Sequence, residues 1–94
     1  MRLKPDWSTS RSDLGILLLE LGRPGEALPH LEAAIRIQPG LVRAHTALGT
    51  ALVALGQSER ARAHLESVLA VFPDDSGLRA ALEAAGRSPS IGIE

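Results

Sequence analysis

Apolar residues recur along this chain at helical spacing, in blocks broken by glycine and proline. Leu14, Leu17, Leu18 and Leu21 fall on one helical face, and Gly22 follows as a left-handed cap. Pro24 suits the first turn of a second helix, whose apolar stripe is Ala27, Leu31, Ala34 and Ile35 and which Pro39 stops. The scheme then repeats. Ala44, Ala47, Leu48, Ala51, Leu52 and Leu55 line a third helix ending at Gly56. Ser58 is a candidate N-cap for a fourth, which carries Ala61, Leu65, Val68, Leu69 and Phe72 and closes at Pro73. A fifth helix is expected from Asp75 to Ala85. Leu78, Ala81, Leu82 and Ala85 make its apolar face, Arg79, Glu83 and Arg87 its wet side, and Asp74, Asp75 and Ser76 its capped start. Pro29 conflicts with the scheme. It deletes the bond its N–H would give to the Gly25 carbonyl, so a bend is predicted there, or a helix regular only after Glu26.

The blocks obey a fixed period. Pro5, Pro39 and Pro73 stand 34 residues apart. Leu14-Gly15 recurs as Leu48-Gly49, Leu21-Gly22 as Leu55-Gly56, and His30-Leu31-Glu32 as His64-Leu65-Glu66. Ten of the 34 positions are identical when residues 8–41 are laid on 42–75, and eight of them fall on apolar, glycine or proline sites where a packing rule would put them. The expected organisation is therefore an N-terminal stub (1–7), two repeats (8–41 and 42–75), a capping helix (76–86) and a mobile tail (87–94). Because Pro5 parallels Pro39 and Pro73, the stub reads as the end of a preceding repeat, and the chain as a piece of a longer array.

Composition narrows the class. Leu (16) and Ala (14) supply 30 of 94 residues, aromatics only 2 %, and there is no Tyr, which favours helix over a β-sandwich. Net charge is −1 and the pI about 6.3, without the basic face that nucleic acid needs. With no Cys, disulfide frameworks and thiolate zinc sites are excluded. The longest aliphatic run, Ile16-Leu17-Leu18-Leu19, is far short of the ~20 residues of a membrane span, and no signal peptide is legible. A cytoplasmic location without membrane association is the resulting expectation. Arg outnumbers Lys nine to one and Ala and Gly are abundant, the composition of a GC-rich bacterial gene.

The repeat resembles the tetratricopeptide repeat, whose pattern is W-x2-L-G-x2-Y, then A-x3-F, then P. The first unit reads Arg11-x2-Leu14-Gly15-x2-Leu18, Ala27-x3-Leu31 and Pro39. The second reads His45-x2-Leu48-Gly49-x2-Leu52, Ala61-x3-Leu65 and Pro73. Arg11 and His45 stand where the family has Trp, and Leu replaces Tyr and Phe. The resemblance implies an all-α, right-handed superhelical array of antiparallel helix pairs, an α-solenoid of two full repeats plus a C-terminal capping helix. Gly15, Gly49, Ala27 and Ala61 would sit where paired helices cross closely. It also implies a concave groove for an extended peptide or a helix. Carried onto this chain, that groove would show Thr9, Ser12, Ile16, Leu19 and Glu20 from the first unit. The second would add Arg43, Thr46, Thr50, Val53 and Ala54, and the closing helix Ala80 and Ala84. This surface is neutral and partly apolar, with Arg43 its one clear cation. The places of the chaperone-tail clamp found in some members hold Ser12, Ile16, Thr46 and Thr50, so that function is discounted.

Other chemistry is thin. Three histidines offer no H-x3-H or HExxH spacing, and the repeat holds His30 and His64 about one unit apart, so no metal or other cofactor is expected. The carboxylates are scattered along solvated faces with no nucleophile–base set or phosphate-cradling loop, so no enzyme is expected. The leading reading is a protein–protein interaction module that binds a partner segment in its groove, with Arg43 and the threonines orienting it. The alternative is self-association through the leucine-rich first helix or the unpartnered fifth.

Overall fold

The computed structural model describes residues 7–86. Residues 1–6 of the expected stub and all of the expected tail, 87–94, lie outside them. The described chain is five helices with no strand: α1 (Trp7–Glu20), α2 (Pro24–Ile37), α3 (Val42–Ala54), α4 (Ser58–Val71) and α5 (Ser76–Gly86). Consecutive helices pack on one another. In addition α3 touches both α1 and α5, so α1, α3 and α5 form one layer and α2 and α4 back it.

The turns repeat with the sequence. Gly22 and Gly56 have φ of 77° and 80°. After Gly22, the Arg23 N–H reaches the Leu18 carbonyl at 2.8 Å and the Gly22 N–H the Leu19 carbonyl at 3.0 Å. The Gln57 N–H to Leu52 and the Gly56 N–H to Val53 repeat both bonds at the same lengths. This is the Schellman closure, in which a left-handed residue lets two donors answer the last helical carbonyls. Pro24 opens α2, as its missing N–H permits. The helix then runs unbroken through Pro29 to Ile37. Helix α4 begins at Ser58 itself; its cap is Gln57, which makes no side-chain capping bond. At α5 the Leu78 N–H donates to Asp75 Oδ1 at 2.9 Å, the expected acidic cap.

Glycine sets the approach within each pair. A Cβ built on Gly15 would lie 2.6 Å from Leu31 Cγ, and one on Gly49 would lie 2.8 Å from Leu65 Cγ. Leu31 and Leu65 are fully buried, with Ala27, Ala51, Ala61 and Leu78 around them. Each such leucine contributes about 2 kcal/mol by leaving water, and truncating it to alanine costs about 3 kcal/mol once the cavity is counted.

The first helix departs from expectation. Leu14, Leu17 and Leu21 do not form a buried stripe; they are 40, 50 and 61 % exposed. The face of α1 that is buried carries Ser8, Ser12 and Gly15. The reason is its neighbours. Among the described residues α1 packs only on α2 and α3, whereas α3 is packed by α1, α2, α4 and α5. The repeat-equivalents of Leu14 and Leu17, Leu48 and Ala51, are therefore covered.

Candidate functional site

A groove of about 600 Å³ opens along the α1–α3–α5 layer. Ile16 and Leu19 reach it from α1, and Val42 and Ala47 from α3, as an apolar floor. Glu20, Arg43, Thr46 and Thr50 form polar walls, and Asp75 and Gly77 close the end at the start of α5. Helical period explains the sharing: Ile16, Leu19 and Glu20 lie within about one turn of α1, and Val42, Thr46 and Thr50 are successive i, i+4 positions on α3.

The polar walls are partly occupied within the chain. The Thr46 hydroxyl donates to the Val42 carbonyl and the Thr50 hydroxyl to the Thr46 carbonyl, both at 3.1 Å. Each hydroxyl thus spends its donor on its own helix and keeps only acceptor capacity. Arg43 Nη2 donates to Asp13 Oδ1 at 3.2 Å, an exposed pair that ties α3 to α1.

The structure brings together Ile16, Leu19, Glu20, Arg43, Thr46 and Thr50 of the residues expected for a groove. Ser12 is corrected. It is 1 % exposed, its hydroxyl has no hydrogen-bond partner, and it is not part of the groove lining. Thr9 and Val53 are half-buried and Ala54, Ala80 and Ala84 exposed, all outside the lining. Sequence reasoning missed Val42 and Gly77, to which it gave no role, Ala47, which it set on the apolar line of the third helix, and Asp75, whose capping role hid its position at the groove's end.

It also missed a histidine pair. His45 is buried, and its ring stacks on His64 with centroids 5.0 Å apart. His45 Nε2 lies 2.6 Å from the Pro39 carbonyl, which can only accept, so this nitrogen carries the proton. His45 Nδ1 then accepts from His64 Nε2, 3.0 Å away. Burial, and next the neighbouring His45 ring, push the His64 pKa down from 6.5. The signal was a 19-residue spacing that recurs in the first unit, where Arg11 Nη1 faces His30 Nδ1 at 3.5 Å. The histidine expected to stand apart from its repeat-equivalent has a different ring for its partner.

The geometry is that of a repeated helix pair with a groove along one layer, and a model described as Tetratricopeptide repeat matches residues 18–85. The chain belongs to the tetratricopeptide repeat family. Tetratricopeptide repeats generally mediate protein–protein interactions and are generally non-catalytic. A comparison with curated proteins found no match. No helix among the described residues is long and apolar enough to cross a membrane.

Proposed function

We propose that this tetratricopeptide chain is a non-catalytic interaction module that holds a peptide or helical segment of a protein partner in the α1–α3–α5 groove. In this reading residues 8–41 and 42–75 are its repeats and 76–86 its capping helix. The superhelix is right-handed, with the groove on its concave side. One observation carries the reading: an open groove of about 600 Å³ with an apolar floor, the shape into which an amphipathic segment lays its apolar face. The test is selection of a random displayed-peptide library on the immobilised chain. Peptides so obtained should lose binding to Leu19→Asp, which puts a charge on the floor, while circular dichroism stays helical. Undiminished binding to that variant would sink the assignment.

A second reading, self-association, is favoured by the outer face of α1. Trp7, Leu14, Leu17 and Leu21 are all exposed there at a 7-, 3- and 4-residue spacing, the seam of a paired helix. Light scattering across a hundredfold concentration range decides it. A mass near 9.9 kDa throughout excludes self-association, and a rising mass abolished by Leu17→Lys supports it.

A further inference from the structure

We infer that the groove selects a cationic amphipathic segment, one that sets a Lys or Arg among apolar residues. This rests on the groove being the docking site, and adds the sign of its occupant. On the sequence alone Arg43 is the groove's one clear cation and the surface is neutral. The structure changes that balance. Arg43 is already paired with Asp13, and Asp75 joins the groove from the start of α5. With Arg43 neutralised by Asp13, the groove's own carboxylates, Glu20 and Asp75, leave its lining net negative. Glu20 has no ion-pair partner among the described residues.

Hydrogen bonding points the same way. Thr46 and Thr50 have given their protons to helix carbonyls and present acceptor lone pairs. Glu20 presents acceptors only. Asp75 caps α5, which uses one oxygen and offsets the positive end of that helix. An acceptor-rich wall over an apolar floor is complementary to a segment that brings donors and positive charge. An acidic or carboxylate-terminated segment would meet like charge at Glu20 and at Asp75.

The displayed-peptide selection tests this, run in parallel on the wild type, on Glu20→Lys and on Thr50→Arg. Thr50 is exposed, so Thr50→Arg obstructs the groove without entering the core. Wild-type peptides should carry Lys or Arg between apolar positions and lose binding to Thr50→Arg. A synthetic copy should bind Glu20→Lys about threefold more weakly at low salt, a difference that shrinks as ionic strength rises. Neutral or acidic peptides that still depend on Thr50, or affinity indifferent to Glu20→Lys, overturn the charge inference and leave the groove standing. Peptides indifferent to both Thr50→Arg and Leu19→Asp overturn the groove and the inference together.

Discussion

Gly49→Ala should destabilise the protein although alanine is the better helix former. The added Cβ would meet Leu65 Cδ1 at 2.7 Å and its Cδ2 and Cγ at 2.8 Å. Carbon atoms rest at about 3.5–4.0 Å, so α3 and α4 must part or Leu65 must turn. Leu65 is fully buried, and displacing its Cγ moves the whole branch. Overpacking of this kind costs about 1–3 kcal/mol, and the gain in helix propensity returns about 1 kcal/mol. The expected net loss is about 1 kcal/mol. Gly25→Ala isolates the second effect. Gly25 lies in α2 with nothing within 4 Å of a built Cβ, so this variant should gain about 0.4–1 kcal/mol. Urea unfolding followed by circular dichroism measures both as shifts in midpoint at constant slope. Opposite signs are required. A Gly49→Ala midpoint at or above the wild type would refute the close α3–α4 approach.

Ser12→Ala should raise stability by about 1 kcal/mol in the same assay, because it removes a buried hydroxyl that has no partner; a loss would mean the hydroxyl is satisfied. The histidine pair predicts a pH dependence. The His64 pKa is lower folded than unfolded, so the unfolded chain binds more protons. Its contribution is present above about pH 6.5 and is lost as pH falls through the folded value. His64→Gln should flatten the stability profile just below pH 6.5, and an unchanged profile would show that His64 does not titrate with folding.

Much of this molecule was legible without coordinates. The five helices, the cap at Asp75, the glycine turns and the close crossings at Gly15 and Gly49 follow from residues near one another or from a 34-residue period. Half of the expected groove residues line the observed groove, because α1 and α3 positions are set by helical phase. The failures share a cause. Leu14, Leu17 and Leu21 have the same spacing as the buried residues of α3, and the apolar residues of α1 are spread around its circumference. Nothing in that spacing says which side another helix will occupy. Ser12 reads as a surface polar residue, yet its phase puts it on the buried face of α1.

What the sequence determined by itself was therefore the elements, their caps and their repetition, since these depend on backbone preference and local periodicity. Which leucines face water, which histidine meets which, and the sign of the groove were decided by tertiary structure. Each depends on residues at least 19 apart in sequence: His45 with His64, Asp13 with Arg43, and Asp75 sharing a groove with Glu20. A side chain's burial and charge environment are properties of its neighbours in space, and for α1 those neighbours, among the described residues, are α2 and α3 alone.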